Sequence, residues 1–337
     1  MKKNNPHFVL ILAFALTVVV AAHPHALAIA QLDSDSAPRY SEPEKVYYEI
    51  GLKITSNGKA TGVIGTVPIP INWPEQHVTI VKENKTENLR KFNYKDLTKE
   101  TRQLILRANR LSAGETAQGS VVLLIEKREL IAPKNVEKLV LAKKIPGKVK
   151  TYLKPSPYIE SKHKRIKKIA KTVAIDSELA AWEQVEAIYK WVRENIRYEF
   201  DTQIHSCLEA LDSGHGDCEE LSSLFIAICR AKGIPARAVW IPSHTYPEFY
   251  LHDESGKGHW FPCQAAGTYE FGAMTELKPV LQKGDRFKVP GSREMLRYVR
   301  PTLVAKDAPR GLSIEFINRH ITDAAEIEQL ESISAGR

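Results

Sequence analysis

Past Ala22 the sequence has no apolar run approaching the roughly 20 residues that a membrane-spanning helix needs. Only the leader therefore has membrane character. The chain opens MKKNNPHFVLILAFALTVVVAAHPHALAIAQ, with two lysines, an apolar stretch from Phe8 to Ala22, and the small-x-small triplets Ala26-Leu27-Ala28 and Ala28-Ile29-Ala30. This is the layout of a cleavable secretory signal over residues 1–30, with the mature chain starting near Ile29 or Gln31. An exported protein, periplasmic or extracellular, is expected, touching a membrane only if the leader stays uncleaved as an anchor.

Cysteine is sparse as well. Four in 337 residues are too few for a disulfide scaffold, and the intervals between Cys207, Cys218, Cys229 and Cys263 contain no C-x-x-C pair, which argues against a zinc site. No motif calls for a cofactor. The formal charge of +8 is spread along the chain beside 40 acidic residues, so no basic patch marks a nucleic-acid partner. The size and the 43% hydrophobic content are those of an ordinary globular chain of two domains.

Residues 31–150 read as a β-rich domain, sandwich-like. EKVYYEIGLKIT is rich in β-formers, Asn57-Gly58 supplies a turn, VIGTVPIPI alternates, and HVTIV and GSVVLLIEKREL repeat the pattern. LTKETRQLILRANRLSAGE fits either a short helix or an irregular pair of strands. The proline-rich KIPGKVKTYLKPSPYIES marks a boundary near residue 150. Helical periodicity begins beyond it, in SKHKRIKKIAKTVA and WEQVEAIYKWVRENIRYEF, where Trp182 and Trp191 are packing residues. CEELSSLFIAICRAKGIP is a further helix, with Gly233 as terminator and Pro235 blocking continuation. The strand-like runs ARAVWIP, HTYPEFYL and HWFPCQAAG follow. Helix followed by antiparallel strands gives an α+β second domain over 151–300, and 301–337 is left as a carboxy-terminal extension whose end is a weak helix or frayed tail.

The stretch GHGDCEEL, residues 214–221, concentrates the chemistry. Asp217 caps the helix and Glu220 reaches back three residues later, so Cys218 is the first helical residue, at the positive end of the helix dipole. Glu219 and Glu220 oppose a thiolate there, so a base is needed. If HTYPEFYL turns back through HDESGKG into HWFPCQAAG, Tyr246 faces Gln264 and His244 is its near-diagonal neighbour. Cys218, His244 and Gln264 then form nucleophile, base and orienter.

These motifs, in this order and spacing, resemble the core of the transglutaminase-like superfamily over about residues 160–267. In that family a Gly-x-Cys heads the central helix, a His opens the next motif, and an Asp follows a W-x-P-x segment. The resemblance implies a papain-like cysteine-enzyme fold, with Cys218 as nucleophile and His244 as base in H-T-Y-P-E, Tyr246 standing where a Trp is usual. Gln264 falls where the family usually has Asp; its carbonyl accepts an imidazole N–H but offers imidazolium no charge. The implied activity is acyl transfer from an amide or isopeptide of a peptide or protein substrate through a thioester, with hydrolysis favoured over crosslinking. The alternatives are a non-catalytic peptide-binding protein and a structural envelope protein that keep the fold.

The remaining candidates have simpler readings. Cys229 belongs with the apolar stripe as a buried free thiol. Cys263 faces away from Gln264, and a Cys207–Cys263 disulfide is compatible with an oxidising compartment. Asp253 sits at the hairpin tip, too far along an extended strand to serve His244. His252 and His259 flank the turn without a third ligand and read as a solvated pair, and His215 reads as a polar loop residue.

Overall fold

Alternation of apolar and polar residues makes the first half β. The computed structural model describes residues 35–173, 180–289 and 293–335, so the leader lies outside the described residues. Two four-stranded antiparallel sheets face each other. One runs, in order, Thr302–Val304, Ala60–Ile69, Thr101–Leu111 and Lys91–Thr98. The other runs Leu312–Ile321, Glu44–Ser56, Thr116–Lys127 and Gln76–Lys85. Leu52, Ile54, Val63, Leu104, Leu106 and Leu123 fill the space between them, as inward positions of period two must. LTKETRQLILRANRLSAGE resolves into the strand Thr101–Leu111, hairpinned to Lys91–Thr98 with an irregularity between Asp96 and Thr98.

The last segment is not a bare extension. Thr302–Val304 pairs with Ala60–Ile69, and Leu312–Ile321 pairs in register with Glu44–Ser56 from Leu312–Ser56 to Ile321–Tyr47. The chain end therefore supplies one edge strand to each sheet. A helix, Ala324–Ala335, follows, and Arg319 ties its Glu326 to Glu49.

The second half is built round the helix Cys218–Ala231, nearly all of whose side chains beyond the first turn are buried. It packs against a sheet of order Gly258–Pro262, His244–His252, Ala236–Ile241, Gln282–Lys283, all antiparallel, and against the helices Lys164–Thr172, Ala181–Asn195 and Cys207–Ser213. This is the α+β arrangement expected, a cysteine-bearing helix on an antiparallel sheet. No helix among the described residues is long and apolar enough to cross a membrane. Cys207 and Cys263 are both free and buried, so the disulfide compatible with the sequence is not formed. Cys207 instead donates to Glu160 Oε2 at 2.9 Å, and Cys229 is buried in the same core.

Where the sandwich meets this core, five charged residues are buried together. Lys283 Nζ lies 2.6 Å from Glu75 Oε1 and also bonds Glu248, and Arg237 donates to Glu248 Oε2 at 2.7 Å. Lys127 is the third cation among two acids, and its Nζ is buried without a hydrogen bond. Burial pulls its amine down to about 8, with Glu75 pulling the other way. An amine depressed in the fold costs stability while both states are protonated, below about pH 8, and the cost fades as pH rises towards the ordinary 10.5. Lys127→Met is therefore expected to stabilise the protein by about 1–3 kcal/mol at pH 7. Urea unfolding of both proteins at pH 7 and pH 10 checks this: the gain should shrink at pH 10, and a destabilised variant at pH 7 would refute it.

Candidate active site

The helix that carries Cys218 starts where the sequence places it. Asp217 Oδ1 accepts from Glu219 N at 2.6 Å, and Glu220 Oε2 accepts from Asp217 N at 2.9 Å, closing the capping box. Glu220 Oε1 also accepts from His205 N at 2.8 Å. Gly216 is required here, because a Cβ would come 2.6 Å from that of Glu220. Burial raises the Glu220 carboxyl, but its hydrogen bond with the Asp217 carboxyl and the backbone N–H groups of His205 and Asp217 outweigh that and hold it below the usual carboxylate value. Burial and Glu220 together push Asp217 up to about 7.

His244 enters through a two-residue connection. Ile241 pairs with His244 across Pro242 and Ser243, and Ser243 is held at φ 59°, a strained left-handed backbone for a residue other than glycine, directly before the imidazole. The strand then pairs with Gly258–Pro262 from His252–Gly258 to Glu248–Pro262, and Cys263 N donates to Pro247 O at 3.0 Å. Continuing that register puts Tyr246 opposite Gln264, as the hairpin argument requires.

His244 Nε2 and Gln264 Oε1 are 2.8 Å apart. An amide oxygen only accepts, so Nε2 carries the hydrogen and Nδ1 keeps the lone pair that a base needs. Gln264 is itself fixed. It is 6% exposed, its amide Nε2 donates to Met274 Sδ at 3.5 Å, its backbone N donates to Glu270 O, and its carbonyl accepts from Arg193 Nη1 at 2.7 Å. Arg193 also bonds Gly267 O and Thr268 O beneath the rings of Tyr189 and Tyr269. This clamp on the orienter has no local sequence signal, since its partners lie more than 70 residues away.

Cys218 and His244 line one cleft of about 1500 Å³. Thr245 joins their elements: its backbone N–H lowers the pKa of the Cys218 thiol, its carbonyl accepts from Ser222 Oγ at 3.3 Å, and its hydroxyl donates to Val239 O. Burial pushes the Cys218 thiol up to about 11; Asp217, Glu219 and Glu220 add to the rise and the Thr245 N–H opposes it. Helix polarity does not by itself make a thiolate here. The indole Nε1 of Trp240, another cleft residue, is taken by Gly284 O at 2.8 Å and is no donor to a ligand. Tyr198 and Phe200 stand 54% and 72% exposed along the rim, an apolar edge that polar neighbours in sequence disguise.

The other candidates fall outside the cleft. Asp253 lies in the turn of the hairpin, accepting from Ser255 N, Lys257 N and His259 Nε2. His252 and His259 are buried and not solvated: Val140 pairs with His252 along the strand edge, and His259 Nε2 donates to Asp253 Oδ2 at 2.8 Å. His215 faces Glu199 at 3.9 Å. Among the described residues no cluster of three or more potential ligands offers a metal site.

Residues 167–265 match the family model of the transglutaminase-like superfamily. A candidate cysteine protease from Cytophaga hutchinsonii shares the fold, with TM-score 0.55 and 16% identity over 85% of this chain and 94% of that one. A candidate protease from Parabacteroides distasonis aligns at TM-score 0.27 with 13% identity, over 67% of this chain and 47% of that one. The periplasmic domain of TgpA from Pseudomonas aeruginosa aligns at TM-score 0.32 with 11% identity, over 69% and 73%. No curated protein sequence matches the chain. The likeness in fold rests on the first of these structures and the likeness in sequence on the motif-bearing segment. Residues 167–265, with the cysteine-headed helix and the histidine-bearing hairpin, belong to the transglutaminase-like superfamily.

Proposed function

We propose that the protein is an exported cysteine-dependent acyl-transfer enzyme that cleaves an amide or isopeptide bond of a peptide or protein through a thioester on Cys218. The observation that carries this is the 2.8 Å contact of His244 Nε2 with the Gln264 side-chain carbonyl, which fixes the tautomer so that the neutral ring offers Nδ1 as the base in the cleft of Cys218. His244 takes the thiol proton as sulfur attacks the carbonyl carbon, and returns it to the departing amine. The oxyanion faces the Cys218 N–H at the positive end of the helix. Water then hydrolyses the thioester and regenerates the thiol. Hydrolysis is proposed over crosslinking because the chain reads as exported, and the leader-like first thirty residues support that export.

p-Nitrophenyl acetate tests the chemistry without a known substrate. A burst of nitrophenolate should accompany acetylation of Cys218, mapped by peptide mass, and both should vanish in Cys218→Ala. Added glycinamide should divert little of the acetyl group from water. A wild-type protein that is acetylated no faster than free glutathione, after correction for thiol ionisation, would leave the cleft as a binding site, the reading of a non-catalytic peptide-binding protein.

A further inference from the structure

Arg297 lines the same cleft, yet the thiol chemistry makes no use of it. Its guanidinium is held between two rings, 5.0 Å from the centroid of Tyr158 and 5.0 Å from that of Trp240. Stacking of this kind fixes the plane of the fork and strips it of water. The side chain keeps only 11% exposure. Nη2 comes within 2.7 Å of Glu219 Oε2, near enough for an ion pair, but that oxygen has no hydrogen bond and neither does Nη1 among the described residues. Nη1 is thus left without an acceptor among the described residues, although Glu219 lies beside Nη2.

An arginine can only donate. A desolvated cationic donor without an acceptor is an expensive arrangement, and an oxygen supplied by a ligand removes the cost. Position favours the same conclusion. Glu219, on which the fork rests, follows Cys218 directly, and Trp240, on which it stacks, belongs to the strand that leads into His244. The unused donor therefore belongs to the same end of the helix as the thiol.

We propose that Arg297 is a substrate-binding residue, its fork turning in its plane between the two rings to bring Nη1, which is covered in the resting structure, onto an acceptor oxygen beside the scissile amide, either a main-chain carbonyl or a carboxylate. The proposal rests on the acyl-transfer reading for its substrate, but the donor can be probed through the thiol alone. Glu219 already neutralises the fork, so a carbonyl is accepted without uncompensated charge. A carboxylate gains by engaging two N–H groups at once.

The test is the rate of Cys218 alkylation, mapped by peptide mass, with three probes each normalised to its rate with glutathione. Bromoacetylglycine carries a carboxylate, bromoacetylglycinamide a neutral carbonyl, and iodomethane no oxygen. In Arg297→Ala the oxygen-bearing probes should slow roughly tenfold relative to iodomethane, the loss expected for one hydrogen bond from a charged donor. A loss confined to bromoacetylglycine assigns the acceptor as a carboxylate; an equal loss for both assigns a carbonyl. Arg297→Lys keeps the charge without the fork and gives the same readout should the alanine variant not fold. Parallel changes in all three probes in the Arg297 variants would overturn the proposal, because a structural role moves them together. His244→Ala separates the two readings: if it leaves every rate unchanged, the acyl-transfer mechanism fails, while the probe ratio still reports on Arg297.

Discussion

Asp285→Ala is expected to cost about 3–5 kcal/mol of folding stability, the cost of leaving a buried cation without its counterion. Arg230 and Asp285 are both almost wholly buried, with Nη2 donating to Oδ1 at 2.8 Å and to Oδ2 at 2.7 Å. The other N–H groups of the fork are also used. Nε and Nη2 reach Ala236 O, while Nη1 reaches Lys154 O and Ser156 Oγ. One guanidinium thus ties the end of the central helix to the first core strand, to the proline-rich segment near residue 155 and to the loop after Gln282–Lys283. Asp285 also accepts from Ala238 N at 3.3 Å. Removing it leaves the buried guanidinium charge without its counterion, although its bonds to Ala236 O, Lys154 O and Ser156 Oγ remain. Arg230→Met with Asp285→Leu should recover part of the loss, since no charge is left buried, while Ala236 O, Lys154 O and Ala238 N lose their partners. Urea denaturation of the three proteins decides the matter, and a single variant within 1 kcal/mol of wild type would be incompatible with this account.

Much of the site was legible because its determinants are local. The capping box needs only Asp217 and Glu220, three residues apart, and it fixes Cys218 as the first helical residue. The hairpin register follows from turn residues between two β-rich runs, and a pleat of period two then decides that His244, not Thr245, shares a face with Gln264. The apolar helix stripe and the β alternation of the first half are likewise short-range patterns.

What was not legible depends on distant partners. Leu312–Ile321 finds its register on Glu44–Ser56, more than 250 residues earlier, and nothing local in LSIEFINRHI names that partner. Lys127, Glu75 and Glu248 look like solvent-facing residues until the two halves close over them. Arg193 and Arg297 carry no motif. Their importance comes from the carbonyls, rings and carboxylate that tertiary structure brings to them. His252 was misread for the same reason, since its strand-edge partner Val140 lies far from the turn in sequence. Local signals locate the chemistry; the groups that position it are set by packing.

His244→Ala should slow alkylation of Cys218 by iodoacetamide at pH 7 by about 10²–10⁴, the range for loss of a positioned general base. A buried thiol held near 11 by burial and three neighbouring carboxyl groups has only about one part in 10⁴ as thiolate at pH 7. Without the imidazole that fraction is all that reacts. The variant's rate should then rise about tenfold for each pH unit and level off only near pH 11. The wild type should react faster than free thiol from near neutrality, since Nδ1 can take the proton within the cleft. Gln264→Ala removes the acceptor that fixes the tautomer and should fall between the two, because the imidazole remains but is free to present either nitrogen. Added imidazole should restore part of the rate to His244→Ala and none to Gln264→Ala. A wild-type profile that climbs to pH 11 like the variant's would mean that His244 does not act on the thiol, and that the capped helix, the hairpin and the clamp on Gln264 serve to hold a binding cleft rather than a nucleophile.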